Sequence, residues 1–149
     1  MATTDAALAI APITDADVAA VVALWRRCGL TRPWNDPAAD IALARSGANA
    51  TVLVGRQGDS IVASALVGHD GHRGWVYYVA VDPDHRQKHY GRIIMDAAES
   101  WLRERKIEKL MLLVRSDNTT VKAFYESLGY DEQERIVFAK WLDGRAPTP

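Results

Sequence analysis

The chain is 149 residues long, with 48% hydrophobic and 25% charged residues, proportions of one globular domain and not of a disordered or fibrous chain. Eighteen Lys and Arg face nineteen Asp and Glu for a formal charge of -1, a balance without the basic surplus that a dedicated nucleic-acid binder needs. No apolar run reaches the length of a membrane span, no basic-then-apolar leader opens the chain, and Cys28 is the only cysteine, so a cytoplasmic protein with no membrane partner is expected.

Residues 1–6 and 144–149 have the composition of loose tails, and nothing between them resembles a linker, so one domain over 1–149 with a core over about 8–142 is expected. Leu8, Ile10 and Pro12 begin a short strand. Thr14-Asp15-Ala16-Asp17 has the form of a capping box and opens a helix with Val18, Val22 and Trp25 on one face, closed near Gly29. Asp36 and Pro37 suit the N-cap and first turn of a second, short helix that Gly47 ends. Strands over 51–56 and 60–67 flank Gln57-Gly58-Asp59, a hairpin signal. A polar loop over 69–73 leads to a strand over 75–81 that is apolar on both faces and therefore expected to be central. After Asp82-Pro83, a turn over 86–91 opens a helix to Arg105, with its buried stripe expected at Tyr90, Ile94, Ala97 and Trp101. A strand over 110–114, a helix over 118–128 closed by Gly129, and a last strand over 136–141 complete the chain. Strands and helices alternate in the second half, which predicts a layered α/β or α+β domain.

One window concentrates chemistry. From Val79 to Arg92 a buried strand stops, a turn follows and a helix begins. The first N–H groups of a helix have no intrahelical acceptor, and the helix dipole adds partial positive charge at the same spot. Arg86, Lys88 and Arg92 add three full charges, with no acid between Arg86 and Arg92. That is an anion cradle of the kind that holds a pyrophosphate, although a merely solvated basic helix start has the same composition. It is not a P-loop, because the Gly-Lys-Ser/Thr ending is absent.

Val81 followed by Arg86-x-x-x-x-Gly91 resembles the acyl-CoA-binding motif of the GNAT (Gcn5-related) N-acetyltransferases. Asn118 and Ala123-Phe124-Tyr125-Glu126-Ser127-Leu128-Gly129-Tyr130 resemble that family's closing motif, one helix and one strand downstream. Arg32-Pro33-Trp34-Asn35-Asp36-Pro37 and the loop from Gly68 to Gly74 are similar to a bacterial branch, the YpeA-like proteins. The resemblance covers roughly residues 8–142. It implies the acyl-CoA N-acyltransferase fold, a mixed, mostly antiparallel sheet flanked by helices. It also implies an enzyme that moves acetyl from acetyl-CoA to an amine of an unspecified acceptor, with no metal.

The resemblance further assigns roles. Backbone groups of Val79, Ala80 and Val81 would hold the pantetheine arm and polarise the thioester. Arg86, Gln87, Lys88, His89, Tyr90, Gly91 and Arg92 would hold pyrophosphate, and Asn118 would contact pantetheine or position the neighbouring loop. Tyr125 matches the general acid for the leaving thiolate, and itself lies in the cofactor-binding motif. Arg32, Trp34, Asn35, Asp36, Asp70, His72 and Tyr77 would line the acceptor side. The family often dimerises, so a homodimer is compatible with it.

Two departures stand out. His89 occupies a position where the family usually has Gly; a negative φ there accommodates His, whereas a positive φ costs about 1–3 kcal/mol. No Glu precedes Glu99, so the family's usual base is missing. A lysine acceptor would then carry a deficit of about 4.6 kcal/mol in neutral amine at pH 7, and an α-amine only about 1 kcal/mol. Asp36, Asp70, His72 and Tyr78 are candidate relay members, with Tyr78 the catalytic candidate on the strand itself. The same departures suit a catalytically weak acyl-CoA-binding module as the alternative. His69, Asp70, His72 and His85 are ligand types, but their spacing fits turn hydrogen bonding better than a metal site.

Overall fold

The computed structural model describes residues 7–149, so the expected tail over 1–6 lies outside the described residues. The chain forms two compact units, one up to Leu113 and one from Val114 to Pro149. The first contains a five-stranded sheet in the order β1 (Ala9–Pro12), β2 (Ala50–Gln57), β3 (Ser60–His69), β4 (Gly74–Val81), β5 (Leu110–Met111). The pairs β1–β2, β2–β3 and β3–β4 are antiparallel and β4–β5 is parallel, giving the mixed, mostly antiparallel sheet that was expected.

Local signals set the helix ends. A 3-10 turn at Asp15–Asp17 precedes α1 (Val18–Arg27), and the capping box of Thr14 and Asp17 is present. Gly29 takes φ 69° just past the helix, where a side chain would be strained. Asp36 caps α2 (Pro37–Arg45), its carboxylate accepting from the Ala39 amide at 3.1 Å. Buried residues Val21, Val22, Leu24 and Trp25 of α1 and Ile41 and Ala44 of α2 form one core with Val52, Val54 and Ala80 of the sheet. Strand side chains alternate in direction, so the other sheet face receives α3 (Tyr90–Glu104). Gly74 lets that helix approach: a Cβ there would overlap the Leu102 side chain.

The structure corrects several expectations, among them the strand over 110–114, which is confined to Leu110–Met111. The buried stripe of α3 is Tyr90, Ile94, Met95, Ala98 and Leu102; Ala97 and Trp101 are half-buried, and the Arg105 guanidinium lies over the Trp101 ring at 3.6 Å. Helical residues four apart share a face, and the direction of that face was fixed by the sheet rather than by aromatic content. β4 is central only at its start: Gly74 and Trp75 pair with Leu110 and Met111. Beyond that, β3 still pairs with one edge of β4, but no strand among the described residues pairs with the other, and Tyr77 is 47% exposed.

In the second unit, α4 (Thr119–Ser127) is the regular element among the described residues. The expected strand over 136–141 is absent there, and Ile136, Val137 and Phe138 are exposed. A β-branched run becomes a strand only where an edge pairs with it, and composition does not supply the edge. No described helix is long and apolar enough to cross a membrane.

Candidate functional site

The first component of the site is a fault in β4. Ser64 pairs with Ala80, but Leu66 pairs with Tyr77, so Tyr78 and Val79 stand opposite Ala65 alone. This is a β-bulge, which bends a strand and re-aims its backbone. Tyr78 carries φ 52°, rare for an aromatic residue and held only where surroundings over-determine it. They do so here. Its ring stacks on Trp25 at 3.8 Å and 2°, its hydroxyl donates to Asp40 at 2.7 Å, and its carbonyl accepts from the Ser64 hydroxyl at 3.3 Å. Burial, followed by the bond to Asp40, pushes the Tyr78 phenol up, so it keeps its proton and is a poor base. Along the edge turned away from β3, β4 has no strand partner among the described residues from Val76 to Val81. Val79 and Val81 are half-buried and Ala80 is buried. The Val81 carbonyl accepts from the Cys28 thiol at 3.3 Å.

The second component follows at once. The Asp82 amide donates to Val62 at 2.7 Å. Its carboxylate accepts from the Asp84 amide at 2.9 Å and from Arg27 at 2.8 Å, and those two groups hold its carboxyl below the usual range. A 3-10 turn at Pro83–His85 leads to residues 86–89. Gln87 takes φ 70° and His89 φ 60°, with Lys88 between them not left-handed. Alternating backbone handedness is the arrangement that folds successive N–H groups into an anion-binding concavity, and here it immediately precedes the N-terminus of α3. Arg86, Gln87, His89 and Arg92 are exposed, Lys88 and Gly91 half-buried, and Tyr90 buried. His89 is the N-cap without a side-chain capping bond. The left-handed branch of the expectation for His89 therefore holds.

The remaining sequence candidates divide. Asp36 lies near enough to Tyr78 to raise its pKa, after Asp40, so α2 and the bulge share one region. Asp40 was missed: in the sequence it is one more acid on a short helix, and only the fold brings it to Tyr78. Arg32 donates to the Gly29 and Thr31 carbonyls at 2.8 and 2.9 Å, closing the end of α1. Asn35 is exposed, Trp34 is half-buried, and the Asn35 amide closes a turn onto Arg32 at 3.1 Å. Tyr77, on β4, is raised by partial burial.

Asp70 and His72 lie before Gly74, four residues short of Tyr78, or roughly 13 Å along a strand. Asp70 accepts from the Arg73 and His72 amides at 2.8 and 2.9 Å, bonds that lower its pKa. His69 accepts from the Gly71 amide at 3.1 Å. Among the described residues, no three His, Cys, Asp or Glu side chains converge as metal ligands. A cleft of about 420 Å³ lies between α1 and the β2–β3 hairpin, but its main charges are paired with each other, Arg27 with Asp82 and Arg56 with Asp17.

In the second unit, Asn118 caps α4, its Oδ1 accepting from the Val121 amide at 3.2 Å. Tyr125 has Phe124 and Tyr130 edge-on at 5.0 and 5.8 Å, and burial pushes its phenol up to about 12.

Residues 17–130 match the family described as the acetyltransferase (GNAT) family. The chain belongs to the GNAT family. An acetyltransferase of Yersinia pestis (strain Pestoides F) is 39% identical over 126 residues, covering 85% of this chain and 89% of that protein. One of Pectobacterium atrosepticum is 40% identical over the same length. Among solved structures, the ribosomal-protein-S18-alanine N-acetyltransferase of Escherichia coli has TM-score 0.74 and 26% identity, covering 93% of this chain and 88% of that one. An aminoglycoside N-acetyltransferase, AAC(6')-Iy, solved in complex with CoA has TM-score 0.81 at 14% identity, a likeness of fold alone. As a GNAT protein the chain is an acyltransferase.

Proposed function

We propose that this acyltransferase moves acetyl from acetyl-CoA directly to an amine. The observation that carries the reading is the succession along one stretch of chain: a bulged strand with an open edge, then a backbone concavity of alternating hand at the start of a basic helix. The concavity over Gln87–Arg92 suits the pyrophosphate, with Arg86, Lys88 and Arg92 supplying charge. The open edge near Val79 and Val81 suits the pantetheine arm and the thioester carbonyl, whose oxygen gains charge when the amine attacks. Asn118, with Oδ1 engaged in capping, would offer Nδ2 to pantetheine.

In the transfer, a C–N bond forms, the C–S bond breaks, the attacking nitrogen gives up a proton to water, and the thiolate takes one from an acid that solvent then reprotonates. Tyr125 is the proposed donor. From about 12 to a thiol near 8.5 the transfer is uphill by about 5 kcal/mol. That fits inside the barrier of about 16 kcal/mol that corresponds to about 10 turnovers per second. The acceptor must arrive neutral. Tyr78 is a proton donor to Asp40, so its part in the relay is to orient, and Asp36 and Asp40 are the carboxylates beside the bulge. With no Glu before Glu99, the reading favours an acceptor of low pKa. Tyr77, Trp34 and Asn35 remain proposed for the acceptor side, together with Arg32, Asp70 and His72.

The test is acetyl-CoA calorimetry with thiol release on paired peptides, one with a free α-amine and one N-blocked with a lysine. Binding together with release that favours the α-amine by about 10²–10³-fold at pH 7 is expected from the neutral fractions. Absence of acetyl-CoA binding would refute the reading.

A further inference from the structure

We infer that Ser64 and Trp25 are positioning residues for acyl transfer, holding the bulge at Tyr78–Val79 so that the Val79 N–H faces the thioester. The inference rests on the reading that transfer takes place beside β4.

Ser64 is out of character for its strand. It has 0% exposure among Ile61, Val62, Ala63 and Ala65, all buried and apolar. Packing alone would be served by another small apolar residue, because a buried hydroxyl must find partners or lose its hydration uncompensated. Ser64 finds two. Its Oγ accepts from the Trp25 indole N–H at 2.8 Å and donates to the Tyr78 carbonyl at 3.3 Å. The bulge needs this bond, since Tyr78 has no ladder partner across the strand pair.

The consequence follows from peptide geometry. The Tyr78 C=O and the Val79 N–H belong to one planar trans peptide and point in opposite directions. Drawing the carbonyl to Ser64, on the face where Trp25 packs, turns the Val79 N–H away from that face. Trp25 adds a second restraint by stacking on the Tyr78 ring, and Asp40 fixes the tip of the same side chain. One indole thus reaches both ends of the strained residue: its N–H acts on the backbone through Ser64, and its face holds the ring. A donor that has to meet a developing oxyanion gains from such restraint, because no reorganisation remains at the moment of reaction.

The test uses the full chain with acetyl-CoA labelled ¹³C at the carbonyl, read by difference infrared spectroscopy. The carbonyl stretch should fall when acetyl-CoA binds the parent. In Ser64→Ala that lowering should be lost while the CoA dissociation constant stays within about twofold; in Ser64→Thr, which keeps the hydroxyl, the lowering should persist. Amide exchange at Val79 in the free protein should speed up in Ser64→Ala. If Ser64→Ala does not unfold cooperatively, Ser64→Cys carries the same test, its weaker donor giving a partial loss of the lowering. A parental stretch in Ser64→Ala or Ser64→Cys overturns the positioning role and leaves the acyl-transfer reading intact. A parent that binds acetyl-CoA without lowering the stretch overturns both.

Discussion

His89 offers a test whose sign separates two states of the backbone. It takes φ 60° as the N-cap of α3 and makes no side-chain capping bond. The left-handed region costs an L-residue about 1–2 kcal/mol, with His among the more tolerant types. Glycine removes that cost but loses about 0.5–1 kcal/mol through its freer unfolded chain. The net for His89→Gly is a gain of about 0.5 kcal/mol, or about 1–2 °C in Tm for a chain of this length.

His89→Ala supplies the contrast. Were φ negative, Ala would be more stable than Gly by about 0.4–1 kcal/mol; at positive φ the order reverses by about 1 kcal/mol or more. Thermal or urea unfolding of the two variants reads this order directly. Ala above Gly would refute the strained loop. Affinity carries separate information. Strain present with and without ligand cancels in the dissociation constant, so calorimetry reports only whether the imidazole obstructs phosphate. Tighter acetyl-CoA binding by His89→Gly would mean that the ring obstructs phosphate, and weaker binding that the ring itself contacts the ligand.

Tyr125→Phe should lower turnover with little change in acetyl-CoA affinity, as steady-state kinetics beside calorimetry would register; unchanged turnover would remove Tyr125 from the mechanism. Gly74→Ala should destabilise by about 1–3 kcal/mol, because the added methyl overlaps Leu102 and pushes α3 off β4, seen as a lower urea midpoint. Asp17 is held below the usual carboxylate range by Arg56, bonded to it at 2.6 Å, and then by the Thr14 amide. A depressed folded pKa means that the unfolded chain binds more protons in that window, so stability rises with pH. The contribution is complete above the unfolded value of about 3.9 and is lost as pH falls through the folded value. Asp17→Asn should therefore lower stability at neutral pH and flatten the acid limb of a urea-midpoint profile.

Much of the layout was legible because its causes are local. The Asp36-Pro37 start, the Gly29 stop and the hairpin over 57–59 each depend on a few adjacent residues, and all are present in the structure. The anion loop was legible for the same reason: a turn, a helix start and three cations without an acid form one contiguous window. The absence of Glu before Glu99 is likewise a fact of sequence, and it makes the acceptor's pKa the central chemical question.

Only the tertiary structure decided the rest. The face of α3 turned out to be Ala98 and Leu102 rather than Ala97 and Trp101, because the helix's rotation is set by the sheet beneath it. The run over 136–141 had strand composition but gained no strand pairing among the described residues. The bulge at Tyr78 has no signature in the strand's own residues. Its cause is spread over Trp25, Asp40 and Ser64, separated from it by 14 to 53 positions in the chain, and such restraints exist only once helix and sheet have met.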